Sequence, residues 1–309
     1  MVRPALHEAK LVCTTGAKGS MYQPTERNDG YELLGTTEDL RSDKAQPFAR
    51  SAFMSALHHP IGDLPLPAEA DQDVDVLLSS LKLQMIRRYM DQGHWHEESE
   101  AARAADQAEP GLKLENVAAH SWHVADAVML LAPLFPDVDQ GRVVELAIVH
   151  DKLELLTGDL DPVGPDGQGT YSHAFHPGAR AEKTRLELLA LDEYLTRLRA
   201  PARERQRQLI LETIHGETAE ARLVKAVDKL QALAFVVAKK AGDMTDDHLS
   251  FSLRYSSKAI EYFPGVASHY AALVRRLMAT VANRRNVGLA DLLARFPAAA
   301  QSASAGAKL

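Results

Sequence analysis

One cysteine, Cys13, is all the chain carries in 309 residues, so no disulfide can form within it and a reducing compartment is the expected setting. Long apolar runs are missing as well. No stretch approaches the roughly 18 consecutive apolar residues that a membrane span needs, and the opening Met-Val-Arg-Pro-Ala-Leu-His-Glu lacks the apolar heart of a signal peptide. The expectation is a cytoplasmic protein without a membrane partner. There is no excess of positive charge: the formal net charge is −7. Such a surface repels polyanions, which argues against binding long nucleic acid or anionic membrane. A small phosphorylated substrate stays open, because a metal and a few arginines can make a locally positive pocket. Strand-like alternation persists nowhere, and no internal repeat is visible.

What is present is helical. Hydrophobic residues make up 46% of the chain, enough for one large core with an added arm. Residues 1–72 show little sustained periodicity and are punctuated by Gly30, Gly35, Pro47, Pro60, Pro65 and Pro67, so they read as an irregular N-terminal extension with one short helix near Ala49–Leu57. From Val74 the pattern turns helical, with Val76, Leu77, Leu81, Met85 and Tyr89 at helix spacing. The polar, alanine-rich residues 97–111 suit a loop or surface helix. Helices are then expected over about 117–134 and 140–156, the second stopped at Thr157-Gly158. A loop of about twenty residues, Asp159 to Gly178, contains four glycines and three prolines; loops of that length are usually lids or disordered. Helical patterns resume over 179–198, 202–214, 219–241, 246–262 and 266–284, then a short piece at 289–296 and a frayed Ala/Ser-rich end. The fold class is all-α, divided into 1–72, 73–285 and 286–309.

Two histidines and several carboxylates lie in segments that otherwise read as buried helix, which is costly unless they are paired or hold a metal. His150 shares a helix face with Val143, Leu146 and Ala147, and Asp151 shares one with Val144, Ala147 and Ile148, so both polar groups emerge from a buried surface. Glu154 follows four residues after His150, on the same side of the expected helix, placed for proton transfer rather than ligation. His120 and Asp228, each in an apolar helix, complete a set of two histidines and two aspartates. That mixture suits one divalent transition ion, Mn²⁺, Co²⁺, Fe²⁺ or Zn²⁺, better than Mg²⁺.

Three segments carry a resemblance: Glu115-Asn116-Val117…His120-Ser121, then His150-Asp151…Glu154…Thr157-Gly158-Asp159, then Leu223-Val224-Lys225…Asp228-Lys229-Leu230. Together they resemble the HD-domain metal-dependent phosphohydrolases, and more narrowly the 5′-deoxynucleotidase branch, over roughly residues 76–280. The resemblance implies an HD-domain helical bundle with His120, His150, Asp151 and Asp228 as ligands of one metal ion. It gives Glu154 and Asp159 catalytic roles around the attacking, metal-held water. It further implies a homodimer that releases phosphate from a nucleoside 5′-phosphate, a (deoxy)nucleoside 5′-monophosphate above all. Arg88-Tyr89 is similar to the family's Arg-Trp pair on the first helix, and Gly93-His94-Trp95 to a Gly-Trp element of some relatives. Arg88 is therefore expected on the substrate phosphate, and Tyr89 and Trp95 on the sugar or base.

Departures from the family pattern leave other readings open. Residues 97–111 and 161–178 lengthen two connections beside the expected pocket, and the first seventy residues have no counterpart, so a nucleoside triphosphate or a nucleotide-like metabolite fits the same centre. His123, His173, His176 and His215 open a dinuclear alternative, as in HD-type di-iron oxygenases.

Overall fold

Hydrogen-bonding side chains mark where five of the described helices begin. In the computed structural model, which describes residues 67–89, 92–96, 114–164 and 166–305, the described residues all belong to one unit, Pro65–Leu309. Helix α1 (Pro67–Ser80) starts at proline and runs into a 3₁₀ turn, Leu81–Gln84. A helical turn follows at Gly93–His96. Helix α2 (Val117–Leu131) is capped by Asn116, whose side chain accepts from Ala119 N at 2.9 Å. Helix α3 (Gln140–Val149) is capped in the same way by Asp139. Each such cap satisfies a backbone N–H that the first turn leaves without a partner.

Beyond the loop come α4 (Pro177–Thr196) and α5 (Ala200–His215), the latter ended by Gly216 in the left-handed conformation, φ 67°. The chain continues with α6 (Ala219–Lys240) and α7 (Asp246–Tyr262), capped by Thr218 and Thr245. Helices α8 (Ala267–Arg285), α9 (Leu289–Arg295) and α10 (Pro297–Ala305) close the described chain. Among the described residues there is no strand, only an isolated antiparallel bridge between Arg87 and Asn116. The protein is all-α.

Helix α6 is the axis of the bundle. It packs against α2, α3, α7 and α8 and buries Leu223, Val224, Ala226, Val227, Leu230, Leu233, Phe235 and Val236. Apolar residues on so much of its circumference require neighbours on several sides. Asp228 and Gln231 are set into that apolar helix, and the packing of α2 and the end of α3 against it delivers their side chains to one place.

Several expectations meet corrections. Helix α1 begins at Pro67, inside the stretch read as irregular, and stops at Ser80 instead of continuing through Tyr89. Its stripe is not a core stripe: Val76 packs against the core, but Leu77, Leu78, Leu81 and Met85 are exposed. The C-terminal end is not frayed from Pro297 on, because proline restarts a helix that packs on α8 and buries Ala299. One segment, Val117–Leu134, does reach the length and mean hydropathy (1.2 over 18 residues) of a membrane span, since alanine, valine and leucine outweigh His120, His123 and Asp126. Val117, His120, Val124, Val128 and Leu131 are buried, while Trp122, Met129, Leu130 and Leu134 are exposed. The short helix expected near Ala49–Leu57 and the connection 97–111 lie outside the described residues.

Candidate metal centre

The centre is assembled by two local devices. The first is a short pairing of extended backbone: Val117 N donates to Ile86 O and Arg88 N to Glu115 O, each at 3.0 Å. This lays Arg88 beside the start of α2, after which Tyr89 turns the chain through a left-handed conformation, φ 67°. Arg88 and Tyr89 are thus not on the first helix, as their resemblance to an Arg-Trp pair implied, but beyond its end. The second device is an early stop of α3. The helix ends at Val149, one residue before His150, whose Nδ1 takes the Ala147 carbonyl at 2.6 Å. Lys152 N bonds to Val149 O and Glu154 N to Asp151 O, both three residues back, and a separate helical turn, Glu154–Thr157, follows. The continuous helix expected to 156 is therefore broken, and Glu154 is not stacked one turn above His150 on the same helix.

Four side chains meet. His120 is fully buried, and its Nε2 lies 3.1 Å from Asp228 Oδ1, 3.3 Å from His150 Nε2 and 3.5 Å from Asp151 Oδ2. His150 Nε2 is 3.3 Å from Asp151 Oδ2. Ligand atoms of His120, His150 and Asp228 all fall within 4.8 Å of one another, the group of metal-ligand side chains found among the described residues. Atoms about 2.0–2.2 Å from a shared centre stand roughly 3.0–3.5 Å apart, so these separations fit one ion.

Hydrogen bonds fix both imidazole tautomers for that purpose. A carbonyl only accepts, so His150 Nδ1 carries its hydrogen toward Ala147 O and Nε2 is left with a lone pair. For His120, Gln231 decides. Its Nε2 donates to Glu115 Oε1 at 2.7 Å, which turns Oε1 toward His120 Nδ1 at 2.9 Å. Nδ1 therefore donates and Nε2 again faces the centre with its lone pair. Glu115 Oε2 also stands 3.3 Å from His120 Nδ1. A ligating histidine held by a polar partner on its other nitrogen is the usual support of a metal site. Burial and the Arg88 charge lower the pKa of His120, but hydrogen bonds to Asp228 and Glu115 outweigh them and raise it to about 9. Without an ion Nε2 therefore also carries a proton, shared with Asp228, and a cation bound at the centre would take that proton's place.

The surrounding acids divide into two classes. Burial works to raise Asp151, yet His150, His120 and Arg88 hold it well below the ordinary carboxylate range. Burial likewise opposes the charge of Asp228, and Lys229 and His120 overcome it. Glu154 goes the other way: burial, together with the charges of Asp151 and Asp159, pushes it well above the usual range, and Arg88 and Lys183 oppose this only in part. Its Oε2 is buried without a hydrogen bond. Asp159 is raised by burial against the pull of Arg88. Carboxylates with pKa values pushed apart in one site are equipped for different proton tasks.

Arg88 is committed to these acids. Its guanidinium donates to Asp151 Oδ2 at 3.1 Å and lies 3.8 Å from Asp159 and 3.6 Å from Glu115. Burial disfavours its charge, but Asp159, Tyr89 and Asp151 keep it firmly protonated. Tyr89 and Trp95 are core residues, 7% and 4% exposed, with ring centroids 5.0 Å apart and Tyr89 stacked on Phe235. They line an apolar cavity of about 30 Å³, room for roughly one water and not for a base.

The roomy space lies elsewhere. A cavity of about 510 Å³ has His150, Asp151 and Asp228 in its wall together with Arg180, Lys183, Lys225, Lys229 and Lys258. Arg88, Glu154 and Asp159 are not part of that wall. The lysines come from α4, α6 and α7, far apart in sequence, and nothing in the local pattern marked them. Gln231 was more legible, a lone amide one turn after Asp228 in an apolar helix. The additional histidines take separate places: His123 bonds to Glu115 at 3.2 Å, His176 caps α4, and His173 and His215 line the large cavity.

Comparisons with known proteins bear on the family and the fold. A family model described as an HD domain matches residues 98–266, more than half of the chain. The chain is 28% identical over 127 residues to the 5′-deoxynucleotidase hdd1 of Schizosaccharomyces pombe, a match covering 40% of this chain and 57% of that relative. The aligned part thus spans little more than half of the relative's length. In fold, the chain is similar to the crystal structure of a predicted metal-dependent phosphohydrolase from Magnetospirillum magnetotacticum MS-1, with TM-score 0.51 and 23% identity, over 70% of this chain and 96% of that one. With His150-Asp151 at its centre, the chain belongs to the HD-domain family.

Proposed function

We propose that the chain is a metal-dependent phosphohydrolase that releases phosphate from a nucleoside 5′-phosphate. The observation that carries this reading is the convergence of His120 Nε2, His150 Nε2, Asp228 and Asp151 within 3.1–3.5 Å contacts, three of them, His150, Asp151 and Asp228, in the wall of a cavity rich in lysine. The likeness to a 5′-deoxynucleotidase supports a nucleotide, and a 5′-monoester among nucleotides. A divalent transition ion held by these four side chains would acidify a water and offset charge on phosphoryl oxygens.

The chain's own residues have separable tasks in this reading. Glu154, whose carboxyl burial and its acidic neighbours push toward the protonated form, supplies a proton to the departing sugar oxygen and takes one back from water in the next cycle. Asp159 orients the attacking water beside it. Arg88 holds Asp151 and Asp159 at fixed separation, a positioning task in place of the direct phosphate contact first expected of it. Lys229, paired with Asp228 beside the metal ligands, offsets the charge of the phosphate at the metal. A cytoplasmic homodimer is the accompanying expectation from the family.

The test is incubation of metal-reconstituted protein with nucleoside mono-, di- and triphosphates, assaying orthophosphate and pyrophosphate separately. Release of either, lost on chelation and restored by a divalent transition ion, supports the reading. No release from any nucleotide under any of the four metals contradicts it.

A further inference from the structure

The large cavity carries more positive charge than a phosphate monoester can answer. Five cations line it, Arg180, Lys183, Lys225, Lys229 and Lys258, against three carboxylates, Asp151, Glu187 and Asp228. Two of those acids are the expected metal ligands, so a divalent ion leaves an excess of four positive charges. A monoester brings roughly two negative charges, about half of what the wall presents.

The cations fall into two groups by their partners. Lys229 bonds to Asp228 at 2.6 Å and Lys183 to Glu187, so both are answered by carboxylates. Lys225, Lys258 and Arg180 instead donate to backbone carbonyls: Lys225 to Ile214 O at 3.1 Å, Lys258 to Ala174 O, and Arg180 to Ala174 O at 3.3 Å and His173 O at 3.4 Å. Among the described residues no carboxylate lies within ion-pair distance of these three. A carbonyl dipole orients a cation but leaves its charge standing. The neighbouring groups feel that field: burial and the charges of Lys183, Lys229, Lys258 and Arg180 push the His173 imidazole down to about 3. Burial lowers Lys258 as well, with Arg180 adding to it. A cavity of about 510 Å³ is in the size range of small-molecule sites and has room beyond a single phosphate.

Resting on the hydrolase reading above, we infer that Lys225, Lys258 and Arg180 form a subsite for the further phosphates of a substrate carrying two or more in a chain, a nucleoside di- or triphosphate. Lys225 stands one turn before Asp228 on α6, so the subsite begins next to the metal ligands. From there it extends to α7 and α4 and to the loop before α4, whose carbonyls of His173 and Ala174 hold Lys258 and Arg180. Binding of an oligophosphate exchanges those carbonyl contacts for charged oxygens.

The experiment measures affinities of the full-length, Mn²⁺-loaded protein for adenosine 5′-monophosphate and for non-hydrolysable methylene-bridged analogues of the di- and triphosphate. Expected is a rise in affinity of tenfold or more from mono- to triphosphate. In an Arg180→Gln, Lys258→Gln double variant that rise shrinks to within about threefold, with monophosphate affinity and metal content near wild type. Lys258→Arg keeps the rise, which separates charge from simple packing of a buried residue. Equal affinity across the series in the wild type, or equal loss for all three ligands in the double variant, overturns the subsite. Phosphate release is scored in parallel: a flat affinity series with monophosphate turnover rejects the subsite alone. A steep series with no release of phosphate or pyrophosphate rejects the hydrolase reading on which it rests.

Discussion

Gln231→Leu isolates the support of His120 from the ligands themselves. Gln231 is buried on α6, and its amide spans two groups, receiving from His120 Nδ1 at 2.9 Å and donating to Glu115 Oε1 at 2.7 Å. Leucine fills similar space and removes both contacts. His120 keeps only Glu115 Oε2, at 3.3 Å, and Glu115 loses a donor in a nearly water-free setting. Leaving a buried charged group one partner short costs about 1–3 kcal/mol of folding stability. For the metal, loss of an outer partner of a ligating histidine weakens binding by roughly 10- to 100-fold, which is about 1.4–2.7 kcal/mol. The assay is competition for Zn²⁺ or Co²⁺ against a chromophoric chelator, with urea unfolding of the metal-free protein alongside. A folded variant of lowered stability that still binds metal within twofold of wild type would refute the view that the amide sets the imidazole.

Three further outcomes follow from the same geometry. Glu154→Gln keeps the shape and removes the ionisable group, so kcat should fall by about 10²–10⁴ while metal content by elemental analysis stays near one per chain; loss of the metal would move Glu154 among the ligands. His248, stacked on His94 at 4.5 Å and buried, is lowered to about 3 by burial and by His94 and Lys240. Below its unfolded pKa of about 6.5 only the unfolded chain takes up this proton, so stability is full above that pH and falls toward pH 3, by up to about 1.4 kcal/mol per pH unit. His248→Phe should flatten that slope in pH-dependent urea unfolding, and an unchanged slope would assign it to other groups. Leu146→Ala, at a fully buried position of α3 three residues before Val149, should cost about 2–5 kcal/mol in chemical denaturation, and a cost below 1 kcal/mol would contradict the packing described.

The helices were legible because their signals are local. Apolar spacing in α2, α3 and α6 and the Thr157-Gly158 stop survive folding almost unchanged, and so do the histidines and aspartates set among apolar residues. The break before His150 was not legible, since it depends on an imidazole taking the Ala147 carbonyl, a choice that periodicity cannot express. The exposure of Leu77, Leu81 and Met85 shows the converse: helical spacing gives a stripe but not what faces it. Arg88 looked free to bind phosphate because the acids that surround it, Glu115, Asp151 and Asp159, are 27 to 71 positions away in sequence. For the same reason the cavity lysines, spread over α4, α6 and α7, carried no signal until the helices were packed.

Metal content of the purified protein and of Asp228→Ala, measured by elemental analysis beside phosphate release from a nucleotide, tests the central claim most directly. About one divalent transition ion per chain in the wild type, with metal and hydrolysis lost together in the Asp228 variant, is the predicted result. Full metal occupancy in that variant, or hydrolysis undiminished after the metal is stripped, would contradict it.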